Sequence, residues 1–164
     1  MIRPLAALAA ALLTLGAAHP PPHGAPSRTP KRGTPQAVVR LVIVSGTPQR
    51  DHAYASHEAS KYVTEFAKPL VVRVTGVKDA SSAQRRIQFT CVGQDCGFAD
   101  PERPDGGDRT GPDNYSILTK GGVATLRASI THGTPAATFT VYAEAVAKKG
   151  ERTVKSKPFT LTTY

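Results

Sequence analysis

From residue 37 onward, hydrophobic and polar positions alternate with a period of two, the mark of strands with one buried face. In 37–45, Val39, Leu41 and Ile43 share one face, while Arg40 points the other way with Val38 and Val42. In 69–77, Leu70, Val72 and Val74 lie opposite Arg73 and Thr75. The same rule predicts inward positions Ile87, Phe89 and Cys91 in 86–91, and Ala124, Leu126, Ala128 and Ile130 in 122–131. It also predicts Phe139, Val141, Ala143 and Ala145 in 138–146, and Phe159 and Leu161 in 158–164. Clusters of Gly, Pro, Asn and Asp separate these segments, so the fold class expected is all-β, an antiparallel β-sandwich of about seven strands. Residues 52–67 fit two patterns. Ala and Glu with Tyr54, Glu58, Tyr62 and Phe66 on one side allow a helix, but 62–66 alternates as a strand, and a loop or short helical turn followed by a strand is expected.

Before residue 37 the pattern is different. Arg3, the apolar run Leu5 to Leu15 and the small residues Gly16, Ala17 and Ala18 read as a secretory signal peptide over residues 1–18, cleaved after Ala18. The apolar run is too short to cross a bilayer, and no transmembrane segment is expected in the mature chain. Residues 19–36 hold six Pro and almost nothing to bury, which predicts a flexible Pro-rich linker. The expected product is secreted or periplasmic.

The 164 residues carry a formal net charge of +9, from 21 Lys and Arg against 12 Asp and Glu. Arg3 leaves with the signal, and Arg28, Lys31 and Arg32 lie in the linker, so residues 37–164 hold 17 basic against 12 acidic residues. That excess permits an anionic partner without naming one. Nucleic acid is not expected, because export and the lack of a basic motif interleaved with aromatics both argue against it.

Cys91 and Cys96 flank Val-Gly-Gln-Asp, a turn-forming stretch, and in an exported chain they predict a disulfide. The following loop is acidic, and Asp100, Asp105, Asp108 and Asp113 make a weak calcium candidate without the ligand register of a defined calcium loop. His52 and His57 are five apart and share neither a helix face nor a strand face, so they predict no metal site. Ser56 beside His57 and Ser129 near His132 are neighbours in sequence only, and no phosphate loop, zinc-hydrolase motif or paired-carboxylate signature is present. A non-enzyme without a cofactor is expected.

Several segments taken in order resemble a known family. They are Gln49; Phe66 with 69–75; Ile87-Gln88-Phe89-Thr90; Leu118 to Leu126 around Gly121-Gly122-Val123-Ala124; Phe139 to Ala143; and Pro158-Phe159-Thr160-Leu161. Their order and spacing are similar to the bacterial immunoglobulin-like domain of the invasin/intimin (Big_1) type. The resemblance implies an immunoglobulin-like sandwich over residues 37–164 and a role in adhesion-like interaction with a protein or with the cell envelope. It departs from the family in the sixteen residues between Gln49 and Phe66 and in the long Cys- and Asp-bearing loop.

Basic residues cluster late in the chain. Lys148, Lys149, Arg152, Lys155 and Lys157, opposed only by Glu151, crowd an expected hairpin between the last two strands, with Arg85 and Arg86 at an earlier strand entry. The two functions expected are an exported immunoglobulin-like interaction module or, as the alternative, a basic protein binding anionic glycans or lipopolysaccharide through these residues.

Overall fold

The computed structural model describes residues 36–58, 60–99 and 107–164. The expected signal peptide, residues 19–35 of the expected linker, and Asp100 and Asp105 of the calcium candidate lie outside the described residues. Among those described, the strands are β1 (Ala37–Ser45), β2 (Gln49–Asp51), β3 (Tyr54–Ala55), β4 (Tyr62–Glu65), β5 (Leu70–Thr75), β6 (Arg86–Val92), β7 (Gly97–Phe98), β8 (Asp108–Gly111), β9 (Asn114–Leu118), β10 (Val123–Leu126), β11 (Ser129–His132), β12 (Thr138–Ala145), β13 (Glu151–Val154) and β14 (Phe159–Thr163). One four-residue helix, α1 (Ala80–Ala83), follows β5, and its N-cap Asp79 accepts from the Ser82 amide.

The strands form an all-β sandwich. One sheet runs β10-β5-β1-β13, a second β3-β4-β11-β7, and the third β2-β14-β12-β6-β9-β8. Every position expected to face inward does so: Val39, Leu41, Leu70, Val72, Val74, Ile87, Phe89, Cys91, Ala124, Leu126, Ala128, Ile130, Phe139, Val141, Ala143, Ala145, Phe159 and Leu161 are buried, and Ile43 packs against them. Strand β1 lies against β12, so the first and third sheets close over one core.

Three features differ from the expectation. The expected strand 122–131 is two strands, because the chain leaves the first sheet after Leu126 and joins the second at Ser129. Its partner turns with it: β5 pairs with β10, β4 pairs with β11, and the Phe66 amide bonds the Ala128 carbonyl at 2.9 Å between them. The pairing is also not wholly antiparallel, since β1 pairs in parallel with β13 and β14 with β2, both at sheet edges. Last, 52–67 has the expected loop followed by a strand, β4, but adds the short strand β3, which pairs with β4 as a small hairpin.

Two polar devices fix the entry to β5. The Gln49 side chain donates to the Gly46 and Lys68 carbonyls and accepts from the Lys68 amide, so one side chain bridges two crossing segments. Gly46 has φ +99°, and a Cβ there would sit 2.4 Å from the Pro69 carbonyl oxygen, a contact and a conformation that only glycine allows.

Candidate binding surfaces

The expected last hairpin is not a hairpin. Strand β12 pairs with β14, but the chain between them crosses to the first sheet and adds β13 at its edge beside β1. Lys148 and Lys149 sit before β13, Arg152 on it, and Lys155 and Lys157 after it, all exposed. Arg85 must be removed from the anion-binding set. Its side chain is 1% exposed, Nη1 donates to Glu151 Oε2 at 2.8 Å, and Nε donates to the Ser82 carbonyl at 3.0 Å. A guanidinium held this way offers nothing to an outside anion. Arg86 is exposed but pairs with Asp108 at 3.3 Å. Glu151 also accepts from the Lys148 amide, and the hydrogen bond from Arg85 holds its carboxyl below the usual glutamate range.

Cys91 and Cys96 form the expected disulfide, with Cα atoms 6.0 Å apart. So short a closed loop contributes about 2 kcal/mol by chain entropy, so replacing both cysteines by Ala is expected to lower the urea midpoint by roughly 1 M without changing the slope. A midpoint that does not move would show that the bridge only decorates the turn. Of the calcium candidate, Asp108 is engaged by Arg86 and Asp113 accepts from the Asn114 side chain at 2.6 Å. Among the described residues no three His, Cys, Asp or Glu side chains gather into a group able to hold a metal.

A cavity of about 730 Å³ opens beside the disulfide, lined by Glu58, Lys61, Phe98, Arg109 and His132 among others. Several of its polar groups are engaged with one another or with the backbone. Lys61 pairs with Glu58 and holds that carboxyl below its usual range. His132, buried and stacked on Tyr62, bonds Thr64 Oγ1 through Nε2 at 3.0 Å and the Thr134 carbonyl through Nδ1 at 2.6 Å. It makes no bond to Ser129 among the described residues. The ring of His52 lies edge-on to Tyr54 and Tyr164, and Arg50 stacks over Tyr164, which makes a small exposed aromatic edge.

The outer face of the first sheet is the feature that no cluster in the sequence announced. Register places Arg40 beside Thr75 on one side and Val154 on the other, Val42 beside Arg73, and Val38 beside Arg152. Val123 flanks Arg73 from the far strand, and a bulge after Ile43 sets Ser45 opposite Val71. The three arginines therefore lie on one diagonal across β13, β1 and β5, neighbouring Cα atoms about 7–8 Å apart. All three are exposed, and around them Val42 is 52%, Val44 52% and Val154 39% exposed. No carboxylate stands on this face, and none of the three arginines forms a salt bridge among the described residues. Exposed valines with arginines beside them make this face both apolar and cationic.

Fold and surface define the class: an all-β sandwich with one disulfide and an open apolar and cationic sheet face. No helix among the described residues is long and apolar enough to cross a membrane. Compared with protein-family models, with curated proteins and with solved structures, the chain matches none.

Proposed function

We propose that the protein is an exported, non-enzymatic interaction module, immunoglobulin-like in type, that engages the bacterial cell envelope. The observation that carries this reading is the outer face of the first sheet, where three arginines without a salt bridge among the described residues stand in a row beside exposed valines. A face that docks on an anionic partner has use for both the arginines and the valines. Export follows from the signal-like residues 1–18 and fits the disulfide. The ordered segments similar to invasin/intimin-type domains favour an adhesion-like role over a catalytic one.

The alternative places an anionic glycan or lipopolysaccharide on Lys148, Lys149, Lys155 and Lys157. It has one observation in its favour: Glu151, the only acid in that stretch, is paired with Arg85, which leaves the four lysines without a salt bridge among the described residues. Co-sedimentation with isolated envelopes separates the two. Replacing Arg40, Arg73 and Arg152 by Gln is expected to release the protein, and replacing the four lysines by Gln is expected to leave most of it bound. The reverse pattern would move the site to the lysines.

A further inference from the structure

We infer that the Arg40, Arg73 and Arg152 face docks on the phosphate headgroups of an anionic lipid surface. The inference rests on the interaction-module reading above and names its partner. Three features of the face select this partner. Guanidinium groups bind phosphate oxygens in a bidentate fork, and a diagonal row of three meets several headgroups at once. Val42, Val44 and Val154 flank the arginines and gain by leaving water at the headgroup boundary, while the long arginine stems keep their charges at phosphate level. Beside the arginines, the outward side chains of the paired strands offer only Ser45, Thr75 and Thr125 as hydrogen-bonding groups, so the face is poor in the hydroxyl-directed groups that a sugar uses.

Other occupants fit less well. A neutral sugar would bring many hydroxyls against valine, with only the arginines and a few hydroxyl side chains to bond them. An acidic protein would find no aromatic anchor and no pocket on this face to build a tight contact. A second copy would set three arginines against three arginines. Residues 1–35 contain no Asp or Glu, so the leading segment offers no complementary charge either.

The probe is phosphatidylglycerol vesicles against phosphatidylcholine vesicles, read by sedimentation of the folded chain. The protein is expected to partition onto the anionic vesicles and not the zwitterionic ones. Each arginine near an anionic surface contributes roughly fivefold, so Gln at Arg40, Arg73 and Arg152 together weakens partitioning on the order of 100-fold. Thr at Val42, Val44 and Val154 removes the binding that persists at about 0.5 M salt, where charges are screened. Equal binding to both vesicle types, or a larger loss from the four-lysine variant, overturns the inference. So does tighter binding to polyglutamate than to the vesicles, which would indicate an acidic protein. Heparin retention abolished by Ala at Tyr54 and Tyr164 together with absent vesicle binding also overturns it, and places a glycan on the aromatic edge. If vesicles fail while envelope retention still depends on the arginines, the lipid assignment falls and the module reading stands; if both fail, both fall.

Discussion

Glu151→Ala is expected to lower the unfolding free energy by about 3 kcal/mol, the lower end of the range for stripping one partner from a buried ion pair. The Arg85 side chain is 1% exposed and that of Glu151 is 15%, so the guanidinium left behind cannot recover the lost carboxylate from bulk water. The Ser82 carbonyl still holds Nε, which keeps the loss from being larger. Because the pair joins the chain before β6 to the edge strand β13, its rupture also loosens β13 from β1. The urea midpoint should fall by roughly 1–2 M. Replacing both partners together, Arg85→Met with Glu151→Leu, should return most of that stability, because no charge is then buried alone. A double variant as weak as the single one would mean that Glu151 acts through packing and not through the pair.

The same pair fixes a pH dependence. The Glu151 carboxyl is held below its ordinary value by the hydrogen bond from Arg85. Its contribution is therefore fully present above the unfolded glutamate value of about 4.3 and is lost as pH falls through the lower folded value. Wild type should lose stability on acidification through that window, and the double variant should lose less.

Phe89→Ala is the second large effect, expected at about 4 kcal/mol. Phe89 is fully buried at the centre of the third sheet, between Ala143 on β12 and Tyr115 on β9, and its ring lies 6.4 Å from that of Phe159. The small Ala143 on one side cannot move in to fill the space, so most of the cavity remains. Val92→Ala, three residues on but half exposed, should change stability by less than about 0.5 kcal/mol. Equal losses at the two positions would contradict a core built from the inward faces of these sheets.

Alternation alone made the inward faces legible, because burial on one side of a strand leaves a local period of two. It could not show where a strand changes sheet. Ala124, Leu126, Ala128 and Ile130 stay in phase across the break at residues 127–128, so the pattern reads straight through it. Arg85 and Arg86 look alike in sequence, and only the position of Glu151, 66 residues away from Arg85, makes one a buried ion-pair partner. The arginine face was hidden for a related reason. Arg40 and Arg73 were each readable as outward residues on valine-rich strands, but their alignment with Arg152 depends on β5 and β13 flanking β1, and β13 sits there through a parallel pairing that no local pattern encodes. Neighbouring lysines make residues 148–157 conspicuous in the sequence, whereas the row on the sheet takes one arginine from each of three distant segments.

Hydrogen exchange of the folded chain, with and without isolated envelopes, tests the proposed surface most directly. Protection is expected to rise in residues 38–44, 71–75 and 151–154, with residues 138–145 on the opposite sheet unchanged. Protection confined to residues 147–150 and 155–157, or absent from the first sheet altogether, would contradict it.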